Sequence, residues 1–402
     1  MRKGLIPSAA LAALVASSAL AAPRHETGTL ANGATYVIDV PEAWNGTLLL
    51  FSHGYARGPA NPAQNAPGEA VKPQLLAKGY ALAGSSFAST GWALEDAVPD
   101  QLATLDAFTA AVGKPKHTLA WGSSMGGLAT MALIEGHPER FDGALPMCGS
   151  VGGAVAMMNS AFDAAFAFKT LLAPDLKLVA GVDDRAVAER AGVVVAQARQ
   201  TPEGRARLAL VAALAQLPGA TLDEQLKSFV MGVFFPRADQ ERRAGGVFSW
   251  NTGVDYQRQV KTSGRRKALA AAYASAGLDL DQDLAALNAA PRQTADPKAV
   301  AYLTAHYVTT GALSRPVLSL HTTDDPLTSS ANEGTYAAKV AARGKGKLLR
   351  QVFVARTGHC TFQPEEMVAA VDLLEGRVET GAWNAPPRAP FVAFRPERLL
   401  RP

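Results

Sequence analysis

Two cysteines in 402 residues are too few for a disulfide scaffold, and a chain of this length can bury a core that needs none. Net charge is also scarce. The formal value is +4, and the cations are not gathered into runs interleaved with aromatic residues, so nothing supports a nucleic-acid partner. Beyond the N-terminus there is no apolar run of the roughly 20 residues that a membrane-spanning helix requires. Internal repeats and low-complexity tracts are likewise missing, which excludes solenoids and arrays.

The N-terminus is different. Arg2 and Lys3 precede an alanine-rich apolar stretch over residues 5–20, which ends in Ala19-Leu20-Ala21 before Ala22-Pro23. A basic start, a short apolar run and small residues at a cleavage site form the pattern of an export leader over residues 1–21. The alternative, a membrane anchor, fits less well because Pro7 and several serines interrupt the run. Removal of the leader takes away two positive charges and no acid, lowering the net charge from +4 to +2. The expectation is a secreted or periplasmic protein without a membrane anchor, in a compartment that permits a disulfide.

From residue 22 the pattern alternates between strands and helices. Residues 27–40 read as a hairpin about Asn32-Gly33, a dipeptide suited to positive φ. Residues 47–52 form a continuous apolar run that stops at His53-Gly54, as a buried strand does. Further strands are expected at 80–86, 117–121 and 141–147, with helices at 71–78, 93–112 and 126–135. Pro99 is expected to divide or offset the second helix. From 150 to 311 the periodicity is helical, with candidate helices at 161–172, 184–199, 203–216, 222–230 and 264–276. Strand runs resume at 316–321 and 348–354, and 364–374 is a last amphipathic helix. This is an α/β chain with a mainly parallel sheet and an inserted helical cap. Its expected parts are a leader (1–21), a first core segment (22–149), the cap (150–311) and a second core segment with a C-terminal strap (312–402).

Three loops carry chemistry. Gly122-Ser123-Ser124-Met125-Gly126 is a G-x-S-x-G between an expected strand and an expected helix. A serine at such a sharp turn presents its hydroxyl above the sheet, and the glycines are needed where side chains would collide with backbone. A serine hydroxyl is a weak nucleophile until a base takes its proton, and the base needs a third group to orient it. His359, in Thr357-Gly358-His359-Cys360, follows the last strand and is the candidate base. Asp324 and Asp325 both follow the preceding strand and are both candidate acids.

The order serine, acid, histidine resembles that of the α/β-hydrolase superfamily over residues 27–150 and 314–380. The segment from His321 to Leu327 is similar to the His-Gly-x-x-Asp start of that family's His-Gly-x-x-Asp-x-x-Val pattern, with Thr322 in place of glycine, and this implies Asp325 as the acid. The resemblance also implies an oxyanion hole from two backbone N–H groups. One belongs to Met125 and the other to Tyr55, in a loop that resembles the family's His-Gly loop. Phe87 and Trp92 follow the strand at 80–86 and are the candidate substrate contacts. In the implied topology Cys148 and Cys360 meet at the carboxyl edge of the sheet as a disulfide. Tannase-like and feruloyl-esterase-like hydrolases similarly bond the cysteine beside their histidine, but there the partner precedes the serine, where this chain has Ser123. Two free buried thiols are the alternative. No second Cys/His pair has zinc-ligand spacing.

The expected activity is hydrolysis of a carboxylic ester, small or polymeric, through an acyl-serine, with no metal or organic cofactor required. An exopeptidase of the prolyl- or tripeptidyl-aminopeptidase kind shares the frame; Asp163, Glu241 and Asp255 are its scattered candidate amine anchors. A non-catalytic binding protein on the same fold is the third reading.

Overall fold

The computed structural model describes residues 22–385 and 389–401, apart from the side chain of Tyr307. The expected leader, residues 1–21, lies outside them. Eight strands form one sheet: β1 (Arg24–Thr29), β2 (Thr35–Val40), β3 (Thr47–Ser52), β4 (Ala81–Ser85), β5 (His117–Ser123), β6 (Gly143–Met147), β7 (Val317–Asp324) and β8 (Leu349–Thr357). Their order across the sheet is β1-β2-β4-β3-β5-β6-β7-β8. β1–β2 and β2–β4 are antiparallel, and every later pairing is parallel.

Strand β3 shows why the sheet needs cover on both sides. All six of its residues are buried, and alternation sends Leu48 and Leu50 to one face, Leu49 and Phe51 to the other. The Leu49 face packs against α1 (Lys72–Ala77) and α15 (Pro364–Thr380) through Leu75, Val368 and Leu374. The Leu48 face is covered by α2 (Leu94–Ala111), α3 (Met125–Gly136) and α14 (Ala331–Ala342), through Phe108, Ile134 and Tyr336 among others. α2 runs unbroken through Pro99, contrary to the expected division. A proline there forgoes one bond near the start of a helix, which the buried Ala97, Leu105 and Phe108 outweigh.

Between β6 and β7 the chain is helical: α4 (Ala154–Leu172), α5 (Asp184–Ala198), α6 (Pro202–Leu214), α7 (Leu222–Leu226), α8 (Phe229–Val233), α9 (Ala238–Ala244), α10 (Tyr256–Thr262), α11 (Arg266–Ser275), α12 (Leu280–Ala289) and α13 (Pro297–Tyr307). Local signals start most of them. Asp183, Thr201, Asp255, Asp279 and Asp296 each accept backbone N–H groups of the following first turn. The expected helix at 222–230 is two short ones, split at Lys227-Ser228. These helices bury an apolar cluster of their own, including Phe168, Leu208, Val211, Phe229 and Tyr256. The tail crosses from the sheet edge, where Val392 N–H donates to the Phe353 carbonyl (2.8 Å), to the helical layer, where Arg401 Nη1 donates to Asp163 Oδ1 (3.0 Å). Among the described residues no helix is long and apolar enough to cross a membrane.

Candidate active site

The turn between β5 and α3 is as tight as its glycines suggest. Ser124 sits at φ 59° and ψ −124°, a conformation that costs a non-glycine residue about 1–3 kcal/mol. A Cβ on Gly126 would lie 1.9 Å from the Ser52 carbonyl oxygen, and one on Gly122 would lie 2.4 Å from that of Gly126. Only glycine lets β3, β5 and α3 close on one another here. The turn lifts Ser124 to the start of α3, where the helix dipole favours developing negative charge.

His359 arrives on the loop after β8. Ser124 Oγ–H donates to His359 Nε2 at 2.8 Å, and His359 Nδ1–H donates to Asp325 Oδ2 at 2.8 Å. Asp325, wholly buried, also accepts at Oδ1 the N–H groups of Leu327 (2.8 Å) and Thr328 (2.9 Å). Those bonds fix the direction of the carboxylate. Asp324 is the last residue of β7, and its carboxylate meets the Thr323 hydroxyl (2.9 Å) instead of the imidazole. Of the two adjacent acids, the structure brings Asp325 to His359.

Gly54 packs against Ser124, since a Cβ there would meet Ser124 Cβ at 3.3 Å. The loop carrying Tyr55 therefore lies beside Ser124. Among the described residues, the N–H groups of Tyr55 and Met125 donate to no other group. Cys148 and Cys360 are bonded to each other, with Cα atoms 5.4 Å apart. Cys360 Sγ lies 3.5 Å from His359 Nε2, so the bridge joins the histidine loop to the end of β6. Among the described residues the one group spaced to hold a metal ion is Cys148, His359 and Cys360. With its two sulfurs bonded together, that group has no thiolate to offer.

Ser124, His359 and Cys360 face an open cleft of about 1110 Å³, roofed by α5, α7 and α8. Trp92 lies on its wall between Tyr55 (ring centroids 5.7 Å apart) and Phe235 (5.5 Å). Phe87 does not reach the cleft, which corrects the expectation for it. Its backbone turns to φ 59°, and the ring stacks on buried His53 with centroids 4.0 Å apart. It supports the Tyr55 loop from below. Burial holds the His53 pKa below the usual histidine value.

Two contributors escaped the sequence reading. The Thr328 hydroxyl donates to the Cys148 carbonyl (2.7 Å) and stands 3.1 Å from Asp325 Oδ2 and 3.3 Å from His359 Nδ1. Its position three residues after Asp325 was the available signal. Phe235, in the helical layer, had no signal to set it apart from core residues.

The strand order, with Ser124 in the turn after β5, Asp325 after β7 and His359 after β8, is that of the α/β-hydrolase fold. A family model described as "Tannase-like family of unknown function (DUF6351)" matches residues 17–207, slightly less than half of the chain. The chain is 28% identical over 409 residues to an o-phthalyl amidase of Xanthobacter agilis, covering 89% of this chain and 88% of that one. Solved structures similar to it include feruloyl esterase B from Aspergillus oryzae, at 17% identity and TM-score 0.44, covering 89% of this chain and 80% of the esterase. Another is the acylaminoacyl peptidase of Pyrococcus horikoshii, at 10% identity and TM-score 0.43; 89% of this chain is covered but only 41% of the peptidase.

Proposed function

We propose that this chain is an exported serine hydrolase that cleaves carboxylic esters through an acyl-Ser124 intermediate. The observation that carries the reading is the relay Ser124–His359–Asp325, with both hydrogen bonds at 2.8 Å and with Ser124 and His359 open to the cleft. His359 removes the proton of Ser124 as the hydroxyl attacks the acyl carbon. It returns that proton to the departing alcohol, then activates water for deacylation. The N–H groups of Met125 and Tyr55 receive the oxyanion. Asp325 keeps Nδ1 protonated and stabilises the imidazolium as it forms. The helices between β6 and β7 act as the cap, with Trp92 and Phe235 contacting the acyl or alcohol group. Export rests on the leader-like residues 1–21, and the disulfide is compatible with it. Cleavage after Ala21 would leave a mature protein beginning Ala22-Pro23, which N-terminal sequencing tests.

Amide cleavage is the second reading, favoured by the amidase similar to this chain. The exopeptidase form of it lacks an amine anchor among the acids first considered. Asp163 is held by Arg401 and Gln259, Glu241 by the N–H groups of Ala180 and Gly181, and Asp255 by the first turn of α10 and Asn288. Turnover of p-nitrophenyl butyrate against acyl- and aminoacyl-p-nitroanilides tests the choice. Faster ester turnover is expected; turnover of anilides alone would replace the ester reading.

A further inference from the structure

Behind Asp325 lies a second histidine. His321, on β7, is wholly buried, and each of its ring nitrogens meets an acceptor. Nε2–H donates to the Thr328 carbonyl at 2.8 Å and stands 3.6 Å from Asp325 Oδ2. Nδ1 lies 3.3 Å from Glu333 Oε1. Glu333 comes from α14 and is also fully buried. Its other oxygen already accepts the Ser319 hydroxyl (2.6 Å) and the Gln351 amide (2.5 Å). The titratable groups facing the ring are thus two carboxylates, Glu333 from α14 and Asp325 from the loop after β7. β7 and β8 add only the neutral Ser319 and Gln351.

Two buried carboxylates this close to one ring make a strong case for a cation between them. We propose that His321 is held as an imidazolium behind the triad acid, and that it acts as a positioning residue keeping Asp325 ionised and aimed at His359. The inference rests on the hydrolase reading for its catalytic consequence, though not for the charge state itself. His53 supplies an internal contrast. Its ring nitrogens lie 2.7 Å and 3.0 Å from two backbone carbonyls, with no carboxylate paired to them among the described residues, and burial drives its pKa down. Burial opposes the charge on His321 as well, but Glu333 and Asp325 outweigh it and the pKa is raised. With His321 charged, the buried group of His321, Glu333 and Asp325 carries one net negative charge. That charge is balanced when His359 takes the serine proton.

Neutron diffraction from perdeuterated full-length protein near pH 8 reads the charge directly. Deuterons on both Nδ1 and Nε2 of His321, with none on Glu333, are expected; a bare Nδ1 facing a deuterated Glu333 Oε1 overturns the proposal. This outcome is independent of whether Ser124 reacts, so it fails separately from the hydrolase reading. The His321→Gln variant tests the consequence. Loss of a cation near Asp325 and His359 favours protonated His359, so the acid limb of kcat/KM should move up by about one pH unit, with kcat reduced about tenfold. A variant that is merely less stable, with its acid limb unmoved, contradicts the positioning role. If it does not fold, the neutron result decides alone.

Discussion

The carboxyl edge of the sheet and the helical layer above it are built on different terms. At the edge, conformation and hydrogen bonding leave little freedom: Ser124 is held at positive φ, Asp325 has acceptors filled on both oxygens, and His359 is bonded on both nitrogens. The layer offers the cleft apolar side chains from α7, α8 and the turn after them, such as Val230, Met231 and Phe235, beside the charged Asp184, Arg185 and Glu189 of α5. On the proposed function, a site built this way keeps its chemistry at the sheet edge and leaves substrate choice to the helices. Changes at the edge should therefore alter rate, and changes in the layer should alter selectivity.

The largest effect breaks the edge itself. Ser124→Ala should lower kcat/KM by about 10⁴-fold or more while leaving the thermal unfolding transition cooperative, measured by ester turnover and circular dichroism. Asp325→Asn should follow, at about 10³- to 10⁴-fold, because the imidazole loses its orienting acceptor. Asp324→Asn should cost no more than a few-fold, because its carboxylate accepts from the Thr323 hydroxyl and not from His359. Equal losses in the two asparagine variants would mean that the edge is less sharply defined than its hydrogen bonds imply.

Two phenylalanines sharpen the comparison. Phe235→Ala, in the layer, should change relative kcat/KM across an acyl-length series by about tenfold. Phe87→Ala, beneath the edge, should instead cost about 3 kcal/mol of stability, read by denaturant titration, because it removes a fully buried ring. A Phe87 variant with normal stability and altered selectivity would move that residue back to the cleft.

These differences track what could be read in the sequence. Ser124 and His359 were legible because each lies in a glycine-containing loop at the end of an expected strand, whereas strand position left Asp324 and Asp325 equal and only the family resemblance pointed to Asp325. Phe87 was misread for a local reason. It also follows a strand, but its positive φ re-aims the ring, and nothing about phenylalanine signals that conformation. The layer's helices at 238–244, 256–262, 280–289 and 297–307 were not delimited, because they are short and their starts depend on single caps such as Asp255 and Asp279. α14 was also missed, although it brings Glu333 to His321. No local pattern marks a contact between a strand and the helix that follows it.

The smallest expected effect concerns the tie between the layer and the tail. Burial raises the Asp163 carboxyl to about 6, against the pull of Arg401 and Gln259. The folded state thus holds this proton more tightly than the unfolded one. The contribution to stability is fullest below the unfolded pKa near 3.8 and is lost as pH rises through about 6. Asp163→Asn lacks this dependence. The melting temperature of the native chain relative to the variant should fall by a few degrees between pH 4 and pH 7. A constant difference across that range would remove Asp163 as the cause.

Peptide mapping after treatment with a fluorophosphonate probe tests the reactive edge most directly. A single adduct on the peptide containing Ser124, absent when His359 is replaced by alanine, is the predicted result. An adduct on another residue, or a folded wild-type chain that takes no label, would contradict it.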